Sequence, residues 1–453
     1  MKKSRFLIYG LIVVGYFILL HIFFPPWLNS SIKNAIDRLF MNFFSNWMLI
    51  FPFIGLSVII ALMTLLGIHF LASFGSGYKS KKPFISNITV LIASKNERPL
   101  LERTLNSIVE SGYPKEKLQI ISIISGSTDD SEAFCRNFGK QHSDIDLEVL
   151  SEPIPKRGKP AALNYGLKSV KHEICIFYDS GVVVTKNTLQ RLINPLQYDK
   201  HDVTIGPVVI ENWKQNKWTR GVTLDYTFSG AGGIFFDVKN RLGSSAYLFG
   251  RNFCIRTDLL KQLGGFNENS LTEDLYLTVL LNLNEKKILF VPKAKAYDLA
   301  PFKISIIKKQ RQRWVGGYIG DANQLMKMEK GNKSGQSIII SRNLSMLFLH
   351  HMDDWILVII GFVIFYSIVG FYYLLSWALS SLVFSYGYLF NAIRKFGDKH
   401  YSCLILGLPF CAYIHFYMLK LQVSLPEIIS WEKTPMILER NKEEIELLAT
   451  IKS

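Results

Sequence analysis

Hydrophobic and polar positions divide the chain into three regimes. No full charge falls between Phe6 and Ile32, and the apolar part from Phe6 to Phe24 is long enough to cross a bilayer before Pro25-Pro26 ends it. Lys33 to Asn46 reads as a short amphipathic connector, and Trp47 to Phe74, again free of full charges, predicts a second span. From Asn87 the pattern shortens. The β-branched runs Ile88 to Ile92 and Leu118 to Ile124 alternate with amphipathic segments from Pro99 to Val109 and from Glu132 to Lys140, the signature of βαβα units on an open, largely parallel sheet. A helix from Lys159 to about Val170, a strand from Glu173 to Tyr178, and a surface helix from Asn187 to Asn194 stopped by Pro195 continue it. Leu259 to Leu263 and the apolar run Leu275 to Leu283 predict two more helices. Beyond the domain, Ser337 to His350 reads as an interfacial helix and Trp355 to Phe390 as two spans joined near Ser376. Cys403 to about Leu419 would be a further span. The division is 1–82 for two N-terminal transmembrane helices and a basic linker, 83–330 for the α/β domain, and 331–453 for the interfacial helix, two or three further spans and a tail.

Charge adds an orientation. Lys2, Lys3 and Arg5 precede the first span and Lys79, Lys81 and Lys82 follow the second, which places the α/β domain on the cytoplasmic side of a multi-pass cell-membrane protein. The net charge of +16 fits an anionic membrane face or an anionic substrate; without zinc-finger spacing, nucleic acid is not among the expected partners. Five cysteines without a C-x-x-C pair read as reduced, buried thiols. There is no G-x-G-x-x-G and no Walker lysine loop, which removes dinucleotide and NTPase chemistry. Ionisable groups within the predicted spans amount to His21, His69 and His415, too few for a transporter pathway.

Candidate chemistry gathers at two stretches. Thr272-Glu273-Asp274 follows the glycine turn Gly264-Gly265-Phe266 and opens a helix, where the macrodipole favours negative charge, so Asp274 is a candidate general base. In Gln310-Arg311-Gln312-Arg313-Trp314, residues Gln310, Arg313 and Trp314 stand at helical i, i+3 and i+4 and share one face. That face offers an amide, a forked cation for phosphate oxygens and a flat platform for a sugar ring. Taken singly, the first is an ordinary helix start and the second an ordinary interfacial pair.

Together, and in this order, they resemble the T-E-D and Q-x-x-R-W motifs of membrane-bound family 2 inverting glycosyltransferases, which include cellulose, chitin, hyaluronan and poly-N-acetylglucosamine synthases. The resemblance runs from about Ile88 to Trp314. It implies a GT-A-like α/β domain, a Rossmann-like mixed sheet, inserted between N- and C-terminal transmembrane helices. It further implies hexosyl transfer with inversion from a nucleotide-diphosphate sugar, a UDP-sugar foremost, to a growing polysaccharide or glycan. Asn96 and Glu97 match the end of the family's P-x-Y-N-E turn, while Ser125 stands where a base-contacting carboxylate is usual. Lys159 to Asn164 resembles G-K-x-x-A-L-N, with Lys159 and Asn164 on the donor side, together with Gln310 and Arg313. Trp314 carries over to the acceptor side and Glu273 to orienting Asp274, while Arg251, in the run that leads to Gly264-Gly265-Phe266, would face acceptor or phosphate. Asp179-Ser180-Gly181 stands at the family's D-x-D, so Asp179 would hold ribose or a divalent cation, Mg or Mn, while Gly181 replaces the second carboxylate. The same Asp-Ser-Gly occurs in ceramide glucosyltransferases, which keeps single transfer to a lipid acceptor open. A non-catalytic subunit that binds nucleotide sugar or glycan in the membrane is the alternative of another class.

Overall fold

The computed structural model describes residues 66–75, 77–79, 84–152, 158–199, 201–230, 233–329 and 373–423, with isolated positions before 66. Outside them lie the first predicted span apart from those positions, the connector, most of the second span, the interfacial helix at 337–350, the first half of the 355–390 stretch, and the tail after Pro426.

The α/β pattern resolves into a seven-stranded sheet in the order β3-β2-β1-β4-β8-β6-β9. Its members are β1 (Ile88–Ser94), β2 (Leu118–Ile124), β3 (Asp146–Ser151), β4 (Ile174–Asp179), β6 (Val203–Ile205), β8 (Phe253–Arg256) and β9 (Ile288–Phe290). The half from β3 to β4 is parallel, but β8 runs antiparallel to both neighbours, so the sheet is mixed. A second sheet of three short strands, β5 (Val183–Val184), β10 (Ala296–Asp298) and β7 (Val208–Ile210), sits beside it. Strand alternation sends Ile88, Val90 and Ile92 into one buried cluster and Leu91 into another, and Ile174 and Ile176 part from Cys175 and Phe177 in the same way. Both faces are apolar because both are covered by helices. All five cysteines are free and buried, as the sequence implied.

The helices are α1 (Arg98–Val109), α2 (Ser131–Gln141), α3 (Lys159–Leu167), α4 (Thr188–Tyr198), α5 (Lys217–Asp225), α6 (Ile234–Arg241), α7 (Thr257–Gln262), α8 (Glu273–Leu283), α9 (Ile304–Glu329), α10 (Tyr373–Phe396), α11 (Cys403–Leu406) and α12 (Leu408–Val423). Helices α4, α10, α11 and α12 correct the sequence reading. Helix α4 does not stop at Pro195: Leu192, Ile193 and Leu196 are buried, and Pro195 loses only its own donor while its carbonyl accepts from Asp199 and His201. Helix α9 runs on through Gly316, Gly317 and Gly320 to Glu329. Helix α10 is continuous from Tyr373 across Ser376, without the expected join, and Arg394 and Lys395 stand in its last turn, where Lys395 Nζ donates to Gly75 O at 2.6 Å.

The stretch from Cys403 to Leu419 is not one span but α11 and α12. Helix α12 has 16 residues, about 24 Å at 1.5 Å per residue, short of a hydrocarbon core of about 30 Å. Its Ile414, Met418 and Leu421 are buried with Val208, Val222 and Ile307 of the α/β domain. The other face leaves Phe416 66% exposed, and nearby Ile405 is 75% exposed. No helix among the described residues is long and apolar enough to cross a membrane.

Candidate active site

Parallel sheets present ligand sites at the carboxyl ends of their strands, and the candidate residues collect there. Strand β1 ends in a turn at Asn96 (φ 53°), whose Oδ1 accepts from Thr128 N at 2.7 Å, and Glu97 stands at the N-cap of α1. Strand β4 ends on Asp179, and the chain turns at Gly181 (φ 100°), a conformation that suits glycine. Ser180 Oγ donates to Glu97, which ties the two strand ends together.

At the centre is Lys159, the first residue of α3, introduced by Gly158 in a positive-φ turn (φ 81°). Its Nζ lies 2.6 Å from Asp179 Oδ1 and 3.4 Å from Glu273 Oε1, and donates to Gly250 O at 3.0 Å. Burial alone would weaken the ammonium; Asp179 first and then Glu273 outweigh it and hold Lys159 charged above the usual lysine range. Arg251 makes the second node. Its Nε lies 3.1 Å from Asp298 Oδ2, its Nη1 3.5 Å from Asp179 Oδ2, and its Nη2 donates to Tyr226 Oη at 3.0 Å. Burial raises the Asp298 carboxyl above the ordinary range, against the pull of Arg251.

Glu273 and Asp274 are the first two residues of α8, as the Thr-Glu-Asp triplet predicted. Asp274 Oδ1 accepts from Leu275 N at 2.9 Å. Burial, then the neighbouring Glu273 charge, push the Asp274 carboxyl up to about 7, with Lys159, the Leu275 amide and Arg313 pulling the other way. The site is narrow here: a Cβ on Gly250 would lie 3.2 Å from both Asp274 Oδ2 and Lys159 Nζ, and Gly250 itself has φ 80°.

The helix carrying the Q-x-x-R-W motif approaches α8. Arg313 Nη1 donates to Leu271 O at 3.2 Å, just before the triplet. Gln310 is buried, with an Oε1 that has no hydrogen-bond partner among the described residues. The cation over the Trp314 ring is Arg311, with its guanidinium carbon 4.1 Å from the centroid. Arg311 is fully buried, and its Nη2 lies 2.5 Å from Asp225 Oδ2; the other oxygen of Asp225 meets His415 Nε2 at 2.8 Å. Helix α12 is thereby joined to α5 and α9.

Lys159, Asp179, Arg251, Glu273 and Asp274 therefore form one cluster, with Arg313 and Glu97 at its margins. Two candidates point elsewhere. Asn164 uses both ends of its amide on the Gly-Gly-Phe turn, donating to Phe266 O at 2.8 Å and to Glu268 Oε1 at 3.1 Å and accepting from Phe266 N at 2.8 Å, so it positions that turn. Ser125 is buried with its hydroxyl donating to Glu152 Oε2 at 2.5 Å. Sequence reasoning missed Asp298, Tyr226, Asp225 and Asp321. Each is a lone residue made relevant by a partner 25 to 190 positions away, and no local spacing signals that.

A divalent cation is poorly served by these residues. Asp179 presents its two oxygens to Lys159 and Arg251, Gly181 brings no donor, and Ser180 is turned to Glu97. No group of three or more His, Cys, Asp or Glu among the described residues is arranged to hold a metal.

The family model "Glycosyltransferase like family 2" matches residues 86–317. The β-monoglucosyldiacylglycerol synthase of Nostoc sp. is 28% identical over 276 residues, 58% of this chain and 57% of that protein. The poly-β-1,6-N-acetyl-D-glucosamine synthase of Staphylococcus epidermidis is 27% identical over 242 residues, 53% of this chain and 56% of that protein. The chain thus spans about half the length of the curated relatives it matches. Among solved structures, a mannosyltransferase from Pyrobaculum calidifontis in complex with GDP-Man and Mn2+ aligns with a TM-score of 0.50 at 17% identity, covering 82% of this chain and 100% of that one, a likeness of fold alone.

Proposed function

The chain belongs to the glycosyltransferase-like family 2, and from that premise we propose that it is an inverting glycosyltransferase acting on a nucleoside-diphosphate sugar. The observation that carries this reading is Asp274: a carboxylate at a helix start, raised to about 7, beside a lysine that joins it to the end of β4. A base with that pKa is about half ionised at pH 7 and more basic than an ordinary carboxylate. Asp274 takes the proton of an acceptor hydroxyl as its oxygen bonds the anomeric carbon; the bond from that carbon to the nucleotide oxygen breaks on the opposite face, and a β-linkage results. Glu273 keeps Lys159 close to the base. The charge developing on the departing diphosphate is met by Lys159, Arg251 and Arg313, fixed cations that need little reorganisation. Because the donor set around Asp179 does not fit Mg2+ or Mn2+, no step is assigned to a metal. The buried, unpartnered Oε1 of Gln310 is available to a hydroxyl or amide of the donor.

We further read the acceptor as a growing glycan and the whole protein as a multi-pass membrane protein with this domain on the cytoplasmic side. The basic flanks of the two N-terminal apolar segments and the exposed Phe74, Ile405 and Phe416 support the membrane setting. Asp-Ser-Gly at 179–181 favours a second reading, one sugar placed on a lipid, and a relative named as a diacylglycerol glucosyltransferring synthase agrees with it. The experiment is to give membranes containing the wild-type chain or its Asp274→Asn variant a panel of labelled nucleotide sugars and to separate the products by size. A ladder that vanishes in the variant supports the polymer reading; one lipid-soluble product supports the second. Turnover retained in the variant sinks Asp274 as the base.

A further inference from the structure

Helix α9 does more than carry the Q-x-x-R-W residues. Arg313, Gly317, Asp321 and Gln324 follow one another at spacings of four, four and three, so they form one stripe along the helix. Every one of them meets the segment that leads into α8. Arg313 donates to Leu271 O. Gly317 lets the helix backbone approach so closely that a Cβ there would lie 2.8 Å from Thr272 Oγ1. Asp321 Oδ2 accepts from Ser270 Oγ at 2.7 Å and from Thr272 Oγ1 at 2.6 Å, and Ser270 Oγ in turn accepts from Thr272 N at 2.9 Å. Gln324 Oε1 accepts from Asn267 Nδ2 at 3.1 Å. The next residue, Leu325, packs on Tyr276 and Val279 of α8.

Asp321 is 5% exposed, and among the described residues no cation pairs with it. An isolated buried carboxylate is costly, so its two hydroxyl partners are what make the arrangement tenable. Those partners stand four and two positions before Asp274. Thr272 is also the N-cap residue of α8, yet its side chain makes no cap hydrogen bond because it is turned to Asp321.

We propose that Asp321 is a positioning residue for proton abstraction: by clamping Ser270 and Thr272 it fixes the first turn of α8 and hence the aim of the Asp274 carboxylate. This rests on the reading of Asp274 as the base. Since one oxygen of Asp321 accepts both hydroxyls, Asp321→Asn keeps the clamp and Asp321→Leu removes it. In the leucine variant, amide hydrogen exchange across 266–276 accelerates while β1 and β2 stay protected; kcat falls at least about tenfold, and the donor KM stays within about twofold. The asparagine variant stays within about threefold of wild type in kcat. Thr272→Val, which removes one of the two hydroxyls, raises exchange over the same segment and serves if the leucine variant fails to fold. Unchanged exchange across 266–276 in these variants overturns the clamp, and local loosening with unchanged kcat overturns its role in aiming the base. A wild-type chain that transfers no sugar defeats the underlying reading instead, and the exchange result still decides the clamp.

Discussion

Replacing Asp274 with asparagine separates two consequences of one perturbed carboxyl. With a value near 7, the Asp274 base is about half ionised at pH 7 and about one-tenth ionised at pH 6. The transfer rate therefore rises about fivefold from pH 6 to pH 7 and levels above pH 8, whereas a carboxyl at its ordinary 3.8 would give a flat profile over that range. Stability moves the opposite way. A carboxyl whose folded value is raised contributes stability that is fully present below about 3.8 and is lost as pH rises through about 7. A rise from 3.8 to about 7 corresponds to about 4 kcal/mol, and because Asp274 is only partly buried, about half of that is the expected effect. Asparagine keeps the oxygen that accepts from Leu275 N and carries no charge. Asp274→Asn should thus be inactive yet more stable than wild type at pH 8 by about 2 kcal/mol, with the difference shrinking toward pH 5. Thermal unfolding of both proteins across that range, beside initial rates for the wild type, is the assay. A variant that melts below wild type at pH 8, or a wild-type rate that does not vary between pH 6 and 8, refutes the reasoning.

The remaining predictions concern the framework around that base. Gly250→Ala forces a side chain into a positive-φ position, at a cost of about 1–2 kcal/mol, and sets a methyl against Asp274 and Lys159; kcat should fall about tenfold with circular dichroism unchanged. Asp225→Asn leaves the buried Arg311 guanidinium without its counter-charge and should destabilise the protein by about 3–5 kcal/mol, read as a lowered melting temperature. With Lys159 and Arg251 facing the one carboxylate of the Asp-Ser-Gly triplet, chelation by EDTA should reduce the transfer rate by less than about twofold; a larger loss restored by Mn2+ would contradict the donor-set argument.

How much of this was legible in the chain depended on whether the signal was local. Strands β1, β2 and β4 and helices α1 and α2 follow from runs of buried residues and their periodicity, and Asp274 at the start of α8 follows from Thr-Glu-Asp before an apolar run. Strand β3 did not announce itself, because at the sheet edge none of its six residues is fully buried. The extension of α4 past Pro195 was hidden because tertiary burial of Leu196 outweighed the lost donor. Of the candidate site, Lys159, Asp179, Arg251, Glu273 and Asp274 do converge. The uses of Asn164 and Ser125, by contrast, depend on Phe266 and Glu152, which only the fold brings near. Asp298, Asp225 and Asp321 are single carboxylates in unremarkable contexts, and their meaning is entirely in their partners.

The pairing of Asp225 with both Arg311 and His415 bears on modularity. The segment matched by the family model ends at residue 317, yet the guanidinium behind the Trp314 ring shares its only described counter-charge with a histidine almost a hundred residues later. An excised piece ending near 330 would uncover the α5 face and strip one partner from a buried carboxylate. A chimera between relatives would have to carry residues 403–423 along with the α/β domain, and a nascent chain on the ribosome cannot lock the Q-x-x-R-W helix in place until α12 has emerged.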